Sequence, residues 1–149
     1  MKRLLLYSLL VFLFMGHSIS TSSAQTPQSA NETIKNCLVK VTPSFENYRD
    51  CVDAYNKALS EANRYDIYPD TVRQGYFFQA AKAAEKAQSF KLLMDNTFSK
   101  EACFVGQQGL FAFSQIETTG PLRSPAKESE QLRKVHDKCI EKGMIAEQP

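Results

Sequence analysis

Five stretches of the chain repeat apolar residues at the three- and four-residue steps of an amphipathic helix, with turn signals between them. In the first, Ile34, Cys37 or Leu38, and Val41 follow Ser29 and Glu32, an S-x-x-E pair that reads as a capping box. Thr42-Pro43 closes this short helix, because the residue before proline avoids helical angles. The same pair opens the next helix, with Thr42 as N-cap and Pro43 at the first helical position. That second helix runs to about Arg64 on Phe45, Tyr48, Val52, Tyr55, Leu59 and Ala62. The third, capped by Asp70, carries Val72, Tyr76, Ala80, Ala83, Ala87, Phe90 and Met94, and its alanines suit close approach by neighbouring helices. Ser99 caps a fourth helix over about residues 100–117, although Gly106 and Gly109 each cost about 1 kcal/mol relative to alanine. Ser124-Pro125 opens a fifth, which turns Leu132, Val135 and Cys139 inward and stops at Gly143. No strand pattern or internal repeat competes. The pattern predicts an all-α fold, a bundle of four to five helices with a short N-terminal helical hairpin, over residues 29–143. A polar leader at 25–28 precedes it and a tail at 144–149 follows.

The cysteines turn this bundle into a stapled one. There are four, Cys37, Cys51, Cys103 and Cys139, an even number that reads as two disulfides in an oxidising compartment. Four cysteines allow three pairings, and helix geometry discriminates among them. If the fourth and fifth helices form an antiparallel hairpin around residues 118–124, Cys103 and Cys139 lie equally far from the turn. At 1.5 Å of rise per residue they then sit at the same height. Cys37 and Cys51 flank the Thr42-Pro43 corner with a mismatch of about 4.5 Å, tolerable for tilted helices. Geometry therefore favours Cys37–Cys51 and Cys103–Cys139.

Ahead of the bundle, Lys2 and Arg3 precede an uncharged run from Leu4 to Met15, and Ser22-Ser23-Ala24 supplies small residues for cleavage. The run is short of the roughly 20 apolar residues that span a bilayer. Residues 1–24 thus read as a cleavable signal peptide, and the chain as secreted or periplasmic. Without them, sixteen Lys and Arg balance sixteen Asp and Glu. A neutral domain with no clustered basic face gives no reason to expect a nucleic-acid partner, and no second spanning run predicts stable membrane insertion.

Candidate chemistry is sparse. His17 leaves with the signal peptide, so His136 is the remaining histidine, and no serine sits in a G-x-S-x-G elbow. His136 and Cys139 share a helix face at three-residue spacing, but a metal would need reduced thiols, which export disfavours. Neither metal nor cofactor is expected, and no catalytic residue is assigned. Glu46, Asp50 and Asp53 beside Arg49 and Lys57, and the row Lys134, Lys138 and Lys142, read as solvated helix faces. The aromatics stand out more. Tyr76, Phe77 and Phe78 are consecutive and spread over about 200° of one helix, too wide for one core stripe. Phe78 lies farthest from the stripe that contains Tyr76. On the fourth helix Phe104 and Phe111 mark a face apart from Cys103, Gly106, Leu110 and Phe113. Phe77, Phe78, Phe104 and Phe111 are the candidate partner-binding residues, unless both helices are central in the bundle.

A signal peptide, an N-terminal helical hairpin and adjacent-pair disulfides in a helical bundle resemble the layout of the plant invertase and pectin methylesterase inhibitors. The stretch Asn47-Tyr48-Arg49-Asp50-Cys51-Val52 is similar to that family's segment around its second cysteine. The chain departs in its longer Cys37–Cys51 spacing and in the charged residues from Arg133 to Lys138 before the fourth cysteine. It has no Pro-Lys-Phe, and only ten residues follow Cys139. The resemblance covers layout from about residue 30 to 140 and transfers no site residues. It implies a non-catalytic inhibitor of an exported enzyme. With no catalytic set in the sequence, the expectation is an exported binding protein, an inhibitor or immunity-type protein with a protein partner. The alternatives are a carrier of small hydrophobic ligands or lipids, its cavity lined by the phenylalanines, and an envelope-assembly adaptor.

Overall fold

The computed structural model describes residues 27–116 and 125–147. Their regular structure is all helical: α1 (Pro27–Val39), α2 (Phe45–Ala62), α3 (Asp70–Asp95), α4 (Lys100–Ser114), the single turn α5 (Pro125–Glu128) and α6 (Glu130–Glu141). The expected signal peptide, the first two residues of the leader, the loop at 118–124 with its Ser124 cap, and the last two residues of the tail lie outside the described residues; the other two leader residues, Pro27 and Gln28, begin α1.

Three helices form the centre. α3 packs along α2 on one side and α4 on the other; α1 lies on α2 and α3, and α6 on α4. Successive long helices run antiparallel, as cross-links near their ends show. The Arg73 Nε–H donates to the Ala62 carbonyl at 2.8 Å, and Phe78 near the start of α3 meets Phe113 near the end of α4. Close approach is possible because the contact faces are small. Ala80, Ala81, Ala83, Ala84 and Ala87 of α3 are fully buried in one core with Ala54 and Ala58 of α2 and Ala112 of α4.

The two α4 glycines belong to the same fit. A Cβ at Gly106 would collide with the side-chain amide of Gln88, which is itself 2% exposed and donates to the Ala102 carbonyl at 3.0 Å. A Cβ at Gly109 would come within 2.9 Å of Leu132 Cδ1 and 3.1 Å of Ala84 Cβ. The helix-propensity cost of these glycines is offset by the depth at which α4 seats on α3 and α6.

Cys37–Cys51 staples α1 to α2 and Cys103–Cys139 staples α4 to α6, with Cα separations of 4.9 and 5.9 Å. This is the pairing that equal distance from the turns favours. In the chain-entropy account the bridges contribute about 3 and about 4 kcal/mol, more for the longer loop. Among the described residues no helix is long and apolar enough to cross a membrane. Two formed disulfides fit an oxidising compartment.

Several local readings need correction. Ser29 lies inside α1 rather than at its cap, and α1 ends at Val39, leaving Val41 exposed in the corner. The N-cap of α2 is Ser44, whose hydroxyl accepts from the Asn47 N–H at 3.0 Å, and not Thr42. Thr42 instead gives its carbonyl to the Asn47 amide side chain at 2.8 Å. Asp70 is the first residue of α3 and caps nothing; its carboxylate pairs with Arg73 at 2.9 Å. Ser99 does cap α4, accepting from the Ala102 N–H at 3.1 Å. The fifth predicted helix is divided at buried Ser129 into α5 and α6. Gly143, at φ +68°, ends α6 as expected, with the Met144 N–H returning to the Cys139 carbonyl at 2.9 Å. Met144 and Ile145, read as the start of a tail, pack against the Cys103–Cys139 bridge and Val135.

Candidate protein-binding face

The four candidate phenylalanines do not converge. Phe77 is 5% exposed and belongs to the core, so it is not available to a partner. The inward residue of the aromatic triplet is thus Phe77 and not Tyr76; Tyr76 is half-buried, stacks near Tyr68, and donates to Asn31 at 3.3 Å. The buried arc of α3 is wider than the predicted stripe: Ala80, Ala83, Ala87 and Phe90 are buried as expected, and Arg73, Gln74, Phe77, Ala81, Ala84 and Gln88 are buried as well. Phe78 is half-buried, edge-on to Phe113 at 5.9 Å between ring centres, so it supports the seam between α3 and α4.

Phe104 and Phe111 are the exception. They are 56% and 55% exposed. Seven residues apart on α4, they fall within about 20° of each other around the helix and about 10.5 Å apart along it. Every fully buried position of α4, from Ala102 and Cys103 to Ala112 and Phe113, lies on the other side. Between and beside the two rings stand Gln107, Gln108, Ser114 and Gln115, polar but uncharged. The outermost strip of α4 is therefore two aromatic rings with uncharged residues between them and after Phe111, and with Lys100 and Glu101 one turn before Phe104. Other large apolar side chains are exposed at the corners, Val39, Val41 and Phe45 between α1 and α2 and Tyr65 and Ile67 between α2 and α3. The periodicity counts Val41 and Phe45 among the apolar stripes, and the structure leaves both exposed; it does not mark Val39, Tyr65 and Ile67.

The main ionisable cluster joins α2, α3 and α4. The Tyr48 hydroxyl donates to Glu101 at 3.2 Å, and Lys91 pairs with Asp95 and with Glu101, each at 3.2 Å. Burial, reinforced by Glu101, raises the Tyr48 pKa to about 12, so the phenol stays protonated at neutral pH. Glu101 and Asp95 likewise hold the Lys91 ammonium above its usual range. The geometry ties the three helices together. His136 is half-buried on α6, its Nδ1 3.9 Å from Asp137. Among the described residues no three potential metal ligands come together. The acids of α2 and the lysines of α6 lie on partly or wholly exposed faces, with Asp53 paired to Lys57 at 3.1 Å and Glu130 to Lys134 at 2.8 Å. Lys134 lowers the Glu130 pKa through that contact.

No protein-family model matches the chain, and no curated protein and no solved structure matches it either.

Proposed function

We propose that this is an exported, non-catalytic binding protein, an inhibitor or immunity-type protein that engages an extracellular or periplasmic protein through the outer face of α4. The observation that carries the reading is the pair Phe104 and Phe111, both exposed on that face with uncharged Gln107 and Gln108 between them. Interface centres are enriched in aromatic side chains and depleted of charge, and a helix with two rings on one stripe supplies both features on a rigid element. The disulfides add to this: one of them fixes α4 itself to α6, so the rings are presented without a large ordering cost on binding. The layout likeness to plant enzyme inhibitors points the same way.

The test uses the purified, oxidised protein as bait in extracellular or periplasmic extract of its source. A protein retained by the wild type and lost from a Phe104→Ser/Phe111→Ser bait is the expected result. If that protein is an enzyme, its turnover should fall on titration with the wild type and not with the variant. Equal retention by both baits, or a captured enzyme whose activity is unchanged at saturation, would remove the proposal as stated.

A further inference from the structure

A second feature of the molecule lies on α3, between α1 and α6. Both of these helices sit on the three-helix centre and flank an open strip of α3. A groove of about 500 Å³ runs there, with Leu38 on the α1 wall, Val135 on the α6 wall, and α3 as the floor from Lys82 to Leu93. Its volume falls within the range of about 300–1,000 Å³ usual for small-molecule sites. The floor spans eleven residues, or roughly 16 Å of helix.

The groove is polarised along its length. Lys82, Glu85 and Lys86 stand at one end; Leu92 and Leu93, with Val135 beside them, at the other. Lys82 and Glu85 offset each other in charge through a 2.8 Å ion pair made by Glu85 Oε1, while the other carboxylate oxygen, Oε2, is buried without a hydrogen-bond partner. Lys86 has no such partner: its ammonium donates to the neutral Leu38 carbonyl at 2.7 Å and lies 5.9 Å from the Phe90 ring, and no ion pair among the described residues includes it. The polar end thus has a net positive charge centred on Lys86. At the other end Leu93 is 64% exposed, an apolar side chain with no place in either core cluster.

We propose that this groove binds a free amphiphilic carboxylate, with the carboxylate on Lys86 and the hydrocarbon chain along α3 over Leu92 and Leu93. Charge complementarity selects the anion, because the second lysine is already matched by Glu85. Length bounds the chain: Lys86 to Leu93 is about 10.5 Å of helix, and an extended chain advances roughly 3.5 Å for every three bonds, so about nine or ten carbons reach Leu93. The site is separate from the α4 face and does not depend on it.

The experiment is a fluorescence titration of the oxidised protein with a dansyl-tagged undecanoic acid, and in parallel with the corresponding undecylamine. The acid is expected to bind saturably at one site and the amine about tenfold more weakly or less, the scale of a charge-assisted contact. Lys86→Met should weaken the acid about tenfold and Lys86→Arg should retain it, while Leu93→Glu should weaken it by a similar factor. Circular dichroism of each variant, expected unchanged, separates lost binding from lost fold. Phe104→Ser/Phe111→Ser should leave acid binding intact, so the two proposals fail independently. Absence of saturable binding, equal affinity for acid and amine, or full affinity in folded Leu93→Glu would each overturn the assignment.

Discussion

Gly106 and Gly75 are both helical glycines, and the structure gives them opposite meanings. At Gly106 an added methyl meets the buried Gln88 amide, which cannot withdraw without losing its bond to the Ala102 carbonyl. Gly106→Ala is expected to destabilise by about 1–3 kcal/mol, the scale of overpacking, despite better helix propensity. At Gly75 nothing lies within 4 Å of an added Cβ, so Gly75→Ala should stabilise by about 0.5–1 kcal/mol. Urea unfolding of the two variants checks the signs. Tyr48 allows a test with pH. Its phenol ionises at about 12 in the folded protein against 10.0 as the ordinary value, so its contribution is complete below pH 10. As pH rises toward 12 the unfolded chain releases this proton first, and stability falls. Tyr68, raised to about 12 chiefly by its bond to Glu61, adds to the same loss. Tyr48→Phe should flatten the alkaline decline in thermal melts without abolishing it.

At the scale of elements, helix existence and the main apolar stripes were legible, and the width of the buried arcs was not. The apolar steps of residues 45–62 and 72–94 are enough to place α2 and α3. What they could not reveal is that Arg73, Gln74 and Gln88 are buried: Arg73 reaches the end of α2 to serve the Ala62 carbonyl, and Gln88 serves α4. Such polar residues earn their interior places through hydrogen bonds made across helices, and a single-helix periodicity holds no trace of the partner. The same limit explains Phe77. It reads as off-stripe beside Tyr76, yet α3 is covered on two sides and its buried arc is wide enough to include it. On α4 the reading of two faces matches the burial: Cys103, Gly106 and Phe113, read as one face, are buried, Leu110 is half-buried, and Phe104 and Phe111 are exposed. Thermal or urea unfolding should separate these rings sharply. Phe77→Ala is expected to cost about 3–5 kcal/mol, and Phe104→Ser or Phe111→Ser within about 0.5 kcal/mol.

For the whole molecule, five helices around an alanine-lined centre give a small core, and the bridges hold its outer helices in place. Disulfide pairing could be worked out beforehand because it depends on distance from a turn, a quantity that residue counting supplies. Cys103→Ser/Cys139→Ser should cost about 2–5 kcal/mol and release α6 first, visible as lost amide-exchange protection over residues 130–141 while α2 and α3 stay protected. The face that α4 then presents is a property of the assembled bundle, since exposure of Phe104 and Phe111 is decided by which sides α3 and α6 occupy. The most direct test of the protein-binding account is therefore the affinity of the captured partner for wild type and for Phe104→Ser/Phe111→Ser, measured beside their melting temperatures. The account expects a loss of about 2 kcal/mol or more, roughly thirtyfold, with an unchanged melting temperature. Unchanged affinity in a folded double variant would contradict it.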